Sequence, residues 1–320
     1  MRAVRGLQMP ELLKGNKKQL SGEGVKMNLV TKLIRGVTGR LLNEESRVRL
    51  ISYLAYATET NLLSAAHSAM GVGNWGNVKV SGEDLFVRDM LPCLLNSSSE
   101  SPLILFDVGA NKGEYCGLLR DCFPKARIYA FEPNRKAFTV LEEKCAKAKI
   151  QMLNFGFSSH DETAMLSVPQ SNLSSSHGTL HSDVYQVIHH SKEKTVFEEV
   201  KLRTVSGFAQ EAGIHTIDFL KIDTEGHELA VLKGCRELLT NGSIKVVQFE
   251  FNQMNVISRV FLRDFHELLD ARYDLFRIAS KVLVPLNPYN TRNEIFVFQN
   301  IVAVLKPLAD ESAFSRYIRR

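Results

Sequence analysis

From residue 103 onward, short apolar runs alternate with segments of helical period. Leu103–Val108 and Ala126–Phe131 are apolar and bounded by turn residues, which predicts buried strands; Ile150–Phe157, Ile217–Ile222 and Lys245–Phe251 repeat the pattern. Between them, Tyr115, Leu118, Leu119 and Cys122 share one helical face that Pro124 ends, and Arg135–Ala148 and Glu228–Leu239 keep the same period. Strands alternating with helices predict a mostly parallel sheet covered on both faces. The pattern then changes. Tyr273–Ala279 and Glu294–Gln299 read as strands joined by a loop containing Pro285 and Pro288, so an antiparallel hairpin is expected to close a seven-stranded sheet. The α/β domain is expected over residues 101–308, followed by a tail at 309–320.

Two segments depart from this alternation. Residues 158–205 form an insertion rich in Ser and His, flanked by Ala164–Val168 and Val200–Val205, which can pair as a hairpin. It falls near the carboxyl ends of the strands, the edge where ligands bind, and a structureless loop of that length is uncommon unless functional. The first hundred residues read as a helical extension. Val30, Leu33, Ile34, Val37, Leu41 and Leu42 recur at helical spacing among Lys32, Arg35 and Arg40, so residues 28–42 predict a basic amphipathic helix. Packing on the domain behind it is the favoured role, with membrane-surface contact as the alternative. Residues 46–70 and 83–95 predict further helices, separated by Gly71-Val72-Gly73-Asn74-Trp75-Gly76-Asn77, a break around the only tryptophan. Residues 1–27 are polar, hold Pro10 and several glycines, and are expected to be flexible; Met27 is an alternative start.

Composition narrows the class. The chain of 320 residues is 44% hydrophobic and 23% charged, with a formal net charge of +5, as in an ordinary globular protein. No apolar run is long enough to span a bilayer. The positive charge gathers in the first fifty residues, leaving the remainder slightly acidic, so no nucleic-acid partner is expected. Five cysteines without a C-x-x-C pair suggest a reducing, cytoplasmic setting and no structural zinc.

The first strand runs into Asp107-Val108-Gly109-Ala110-Asn111-Lys112-Gly113. Gly109 and Gly113 permit a tight turn close to a ligand, but the G-x-G-x-x-G of dinucleotide binders is missing. Asp107 before the first glycine would repel a pyrophosphate and suits a cationic amino-acid group, as in S-adenosylmethionine. Glu132, in Tyr129-Ala130-Phe131-Glu132-Pro133 at the tip of the second strand, suits both ribose hydroxyls. Asn154, ending the third strand, is a candidate near the adenine.

The densest chemistry lies in Lys221-Ile222-Asp223-Thr224-Glu225-Gly226-His227-Glu228. An apolar strand delivers Asp223 to its carboxyl end, and the helix dipole alone can account for Glu225 and Glu228 but not for Asp223. Alternation in Gln248-Phe249-Glu250-Phe251-Asn252 sends Glu250 and Asn252 to one side, where they can meet Asp223.

Asp107–Gly113, Tyr129–Pro133, Lys221–Gly234 and Glu250–Asn252, in this order and spacing, resemble the FkbM-type methyltransferase family over roughly residues 100–305. The resemblance implies a Rossmann-like class I methyltransferase fold and transfer of a methyl group from S-adenosylmethionine to a hydroxyl of a sugar, glycan or secondary metabolite. It places Asp107, Gly109, Asn111, Gly113, Glu132 and Pro133 at the cofactor, and Asp223, Glu225 and Glu250 at the reacting edge. Phe155-Gly156-Phe157 departs from it, where smaller residues are expected. Asp223 is the first candidate base, followed by His177 and His227. Alternatively Asp223, Glu250 and Asn252 hold Mg2+, which would acidify the hydroxyl. A silent cofactor-binding module and a nicotinamide-dependent oxidoreductase are the rival readings.

Overall fold

The computed structural model describes residues 42–75, 78–95, 101–171, 173, 178–181, 183–188, 194–310 and 312–319. The chain divides into two compact units, Met1–Leu54 and Ala55–Arg320. Apart from Leu42, the flexible stretch and basic helix expected over residues 1–42 lie outside the described residues. The expected helix over 46–70 is two helices, Glu44–Ala57 and Leu62–Ala69. The second has its own N-cap: Asn61 Oδ1 accepts the Ser64 N–H at 3.0 Å. No helix among the described residues is long and apolar enough to cross a membrane.

The main sheet holds β1 (Ile104–Val108), β2 (Arg127–Phe131), β3 (Ile150–Leu153), β7 (Ile217–Ile222), β8 (Ile244–Phe251), β9 (Tyr273–Ile278), β10 (Leu283–Pro285) and β11 (Gln299–Leu305). Its order is β10-β9-β11-β8-β7-β1-β2-β3. The neighbours from β8 through β7, β1 and β2 to β3 are parallel, whereas β11 is antiparallel to both β8 and β9. This is the Rossmann-like α/β plan with one short edge strand, β10, added to the seven expected. A second sheet joins β4 (Gly156–Phe157), β5 (Glu162–Pro169) and β6 (Thr195–Arg203) in the order β4-β6-β5. The flanks of the insertion pair antiparallel from Glu162 with Leu202 to Pro169 with Thr195.

Strands β1, β7 and β8 are apolar on both faces because both faces are covered. Phe106, Leu220, Val247 and Phe249 join one core, whereas Leu105, Phe219 and Val246 join the other. The first core packs under α3 (Val205–Glu211), α4 (Glu228–Lys233) and α5 (Leu262–Leu269); the second packs under α1 (Glu114–Cys122), α2 (Arg135–Cys145) and the helical stretch 83–95. That stretch contains a wider turn at Phe86–Met90, and Phe86, Met90 and Leu91 are fully buried.

Three boundaries differ from expectation. The strand expected over Ile150–Phe157 is divided at Asn154, and Gly156 and Phe157 leave to pair with β6. The helix expected over Glu228–Leu239 is divided into Glu228–Lys233 and Arg236–Thr240, where the Gly234 carbonyl accepts the Ser206 N–H at 3.2 Å. The last strand begins at Gln299 and not at Glu294. The Glu294 carboxylate instead accepts the Leu262 and Arg263 N–H groups at the start of α5, both at 2.9 Å, and the Tyr289 hydroxyl at 2.8 Å.

Phe265 on α5 is fully buried and stacks on Phe249 at 4.5 Å between ring centroids. Phe265→Ala is expected to lower stability by about 3–5 kcal/mol, measured by denaturant unfolding. A loss below about 1 kcal/mol would show that α5 does not close this core.

Candidate active site

A cavity of about 590 Å3 opens at the carboxyl ends of β1, β2, β7 and β8. Gly109, Asn111, Glu132 and Pro133 line one part of it, and Asp223, Glu225, His227, Glu250 and Asn252 line another. The second sheet contributes Phe157, Leu166 and Leu202.

At the end of β1 the backbone turns at Gly109, with φ +79°. A Cβ there would stand 1.8 Å from the Asp223 carbonyl oxygen, so this glycine lets the exits of β1 and β7 touch. The Gly109 and Ala110 N–H groups donate to the Phe131 carbonyl at 2.9 and 3.0 Å. Asn111 follows with φ +46°, and its N–H donates to Glu132 Oε2 at 2.8 Å. Glu132 Oε1 accepts the Asn134 N–H at 2.8 Å. Burial lifts the Glu132 carboxyl to about 7 in spite of these two donors. Asn111 Oδ1 is buried without a hydrogen-bond partner, an acceptor available to a ligand.

Asp107, Gly113 and Asn154, expected at the cofactor, do not line the cavity. Asp107 is fully buried behind it. Gly113 precedes α1 with φ +85°, where a Cβ would lie 2.6 Å from Cys145 Sγ, so it joins α1 to α2. Asn154 Nδ2 donates to the carbonyls of Glu132 and Pro133 at 2.8 and 3.1 Å, bracing the loop that carries Glu132. The departure at Phe155–Phe157 has a packing reason: Phe157 lies 4.6 Å from Phe131 between centroids, and Phe155 lies 5.6 Å from it.

At the reacting edge Asp223 Oδ2 accepts from Lys221 Nζ at 3.0 Å, and its side chain is 33% exposed. Glu225 occupies a turn with φ +52°. Glu228 stabilises that turn, its Oε1 accepting the Thr224 and Gly226 N–H groups and the Thr224 hydroxyl at 3.0 to 3.1 Å. Burial, then the Asp223 charge, pushes both Glu225 and Glu250 well above the usual carboxyl range. His227 Nε2 meets Ser158 Oγ at 3.0 Å, and burial with the neighbouring His181 holds its imidazole down at about 4, in the neutral form. His177 lies outside the described residues.

Beneath the cavity runs a polar row that the sequence reading did not assemble. In the sheet register Asp107 pairs with Lys221, and Lys221 with Gln248, across three adjacent strands. Lys221 is buried, 3.8 Å from Asp107 Oδ1 and 4.8 Å from the centre of the Tyr115 ring. Burial alone would lower its pKa, but Asp223, Asp107, Glu83 and Glu250 more than offset that, so the ammonium stays charged. Gln248 Nε2 donates to Glu83 Oε1 at 2.8 Å and to Asn300 Oδ1 at 3.2 Å, while the Tyr115 hydroxyl donates to Gln248 Oε1 at 2.7 Å. The available signal was Lys221 itself, a charge flanked by Leu220 and Ile222 inside a buried strand.

The donor set does not fit Mg2+. Asn252 Oδ1 accepts the Met254 N–H at 2.8 Å, and Asn252 Nδ2 donates to Glu250 Oε2 at 3.2 Å. Asp223 is paired with an ammonium, and among the described residues no group of three His, Cys, Asp or Glu is placed to hold a metal ion.

Residues 107–273 match the Methyltransferase FkbM domain. The chain belongs to the FkbM methyltransferase family. It is 27% identical over 164 residues to the hexuronic acid methyltransferase AglP of Haloferax volcanii, covering 50% of this chain and 61% of that protein. It is 29% identical over 172 residues to the methyltransferase sdnD of Sordaria araneosa, covering 43% of this chain and 61% of that one. The alignments thus span about three-fifths of these relatives. The crystal structure of an FkbM methyltransferase from Methylobacillus flagellatus has 13% identity and a TM-score of 0.38, covering 71% of this chain and 52% of that one.

Lys221→Met is expected to destabilise the protein by about 3–5 kcal/mol near pH 8, because it leaves buried Asp107 uncompensated. Burial already raises the folded-state pKa of Asp107, and losing the ammonium raises it further. A raised carboxyl stabilises the fold below its unfolded pKa and loses that contribution as pH rises through the folded one. The deficit should therefore shrink toward about pH 5. Unfolding curves at several pH values test this; a deficit that grows with acidity would refute the assignment.

Proposed function

We propose that this chain is an S-adenosylmethionine-dependent O-methyltransferase acting on a hydroxyl of a small molecule, sugar or glycan. The observation that carries the reading is the convergence of Glu132, Asp223, Glu225 and Glu250 on one cavity in an FkbM-family chain. One relative, a hexuronic acid methyltransferase, falls within this acceptor range.

The residues at the end of β1 and β2 fit the cofactor. Glu132, held by two backbone N–H groups, offers its carboxylate to the ribose hydroxyls, and Asn111 Oδ1 is an unpartnered acceptor beside it. Pro133 forms part of the wall. Asp107 acts from behind, through Lys221. When bound, S-adenosylmethionine supplies an electrophilic methyl group on a good leaving group. The chain's own contribution is then orientation of the acceptor and removal of its proton.

Asp223 is the base. It lines the cavity, is partly exposed, and lies 3.0 Å from the Lys221 ammonium. Glu225 and Glu250, held toward the protonated form, donate and accept hydrogen bonds to fix the acceptor without competing as bases. His227 is the weaker candidate, since a depressed pKa of about 4 makes it a poor proton acceptor.

S-adenosylhomocysteine is expected to bind in calorimetry and NAD is not. Asp223→Asn is expected to lower turnover by about 10²–10⁴ while leaving S-adenosylhomocysteine affinity within about threefold. A large affinity loss would move Asp223 into the cofactor site.

A second expectation concerns pH. The ribose hydroxyls are accepted by the ionised Glu132, whose free-state pKa is about 7. S-adenosylhomocysteine affinity should therefore weaken as pH falls below that value, by up to about tenfold per unit. Glu132→Gln should bind more weakly and lose the pH dependence; a parent affinity that is flat between about pH 6 and 8 would remove Glu132 from the ribose.

A further inference from the structure

The cavity has a third wall, which the family match does not include. Trp75, Val297 and Phe298 line it, and all three lie outside residues 107–273. The two segments are joined to each other: the Gly73 N–H donates to the Phe298 carbonyl at 2.7 Å. The loop before Trp75 is held from its other side, where buried Asn74 donates through Nδ2 to the Ser68 carbonyl at 3.0 Å. Val72, between them, is 1% exposed. On this anchored loop the indole of Trp75 is 76% exposed, a large apolar surface standing in water at a cavity wall. Val297 beside it is 39% exposed. Packing does not require an exposed indole there, whereas recognition uses such groups as flat, rigid platforms.

The same cavity is lined by the carboxyls of Asp223, Glu225 and Glu250, with Lys221 as the cation behind them. Glu225 and Glu250 resist ionisation because of burial and their neighbouring negative charges. An acceptor carrying a carboxylate would set a second negative charge beside that of Asp223, in a cluster where Glu225 and Glu250 already resist ionisation. A neutral ring is tolerated, and an ammonium is attracted both by the Asp223 charge and by the face of an indole.

We propose that Trp75, backed by Val297 and Phe298, is the acceptor-recognising platform, and that the acceptor is a neutral or positively charged hydroxyl compound with a flat face, not a sugar acid. This rests on the methyl-transfer reading, and it separates this chain from its hexuronate-methylating relative. The division of labour follows the chain: the family-matched segment carries cofactor and base, and the flanking segments choose what is methylated.

Trp75 is the only tryptophan, so its emission reports on this wall directly. The test adds the methyl glycosides of glucosamine, glucose and glucuronic acid to the chain saturated with S-adenosylhomocysteine, following Trp75 emission and saturation-transfer NMR. The first two are expected to bind and to shift the emission, with the glucuronide weaker by about tenfold or more. Trp75→Ala should weaken the first two by about tenfold, Trp75→Phe by less, and both variants should keep the parent's S-adenosylhomocysteine affinity. Equal or tighter binding of the glucuronide, binding that ignores Trp75, or no binding by any of the three overturns the proposal. Failure of the parent to bind S-adenosylhomocysteine overturns the methyl-transfer reading itself, and this one with it.

Discussion

The site depends on one buried ammonium. Lys221 lies in the middle of the sheet, 3.0 Å from Asp223 and 3.8 Å from Asp107, with the Tyr115 ring against it. Two carboxylates at the ends of adjacent parallel strands repel each other, and burial makes that repulsion strong. The ammonium between them allows Asp107 to remain under the floor and Asp223 to face the cavity. The backbone reinforces the same juncture: the Asp223 N–H donates to the Val108 carbonyl at 2.9 Å, and Gly109 has no side chain to keep the two strand ends apart. Charge and backbone thus act on one point, the junction of β1 with β7, and the remaining groups of the site are arranged around it.

A second set of constraints places Glu132. Glu132 is held by the Asn111 and Asn134 N–H groups, while Asn154 pins the carbonyls of Glu132 and Pro133 from the next strand. Asn134 in turn caps α2, its Oδ1 accepting the Lys136 and Ala137 N–H groups at 2.9 and 3.0 Å. Helix start, strand end and acid are therefore one hydrogen-bonded unit. A buried carboxyl with two donors but no cation beside it is pushed up to about 7, which ties the state of this end of the cavity to pH.

The alternation of strands and helices, the antiparallel end of the sheet and the main motifs were legible because they rest on local signals. Apolar runs gave β1, β2, β7 and β8 to within a residue or two, and the acids at their carboxyl ends marked the edge where the cavity lies. What escaped was whatever depends on long-range partners. Glu294 sits in a sequence that suits a strand, yet its carboxylate serves the start of α5, thirty-odd residues earlier in the chain. Gly113 and Asn154 look like ligand-binding residues, and their roles are helix packing and loop bracing. Glu83 and Gln248 meet across 165 residues, a pairing that no local pattern announces. Lys221 stood in a motif noted for its acids, and its own partners became apparent only from the register.

The polar row also constrains how the site can vary. Asp107, Lys221 and Gln248 lie on the face of the sheet covered by the helical stretch 83–95, whose Glu83 closes the network. That stretch lies outside the matched family segment, so the hydrogen-bonded row beneath the cavity is completed by a residue that the family match does not include. The same flanking region supplies Trp75 to the cavity wall. Residues before the family domain therefore do two things at once: they extend the polar row of the floor and they shape the wall. A substitution in the floor shifts the ionisation of Asp107, whereas one in the wall leaves it untouched, because Trp75 shares no hydrogen bond with the row. Selectivity can thus change independently of the proton chemistry, the physical condition for one family scaffold to serve many acceptors.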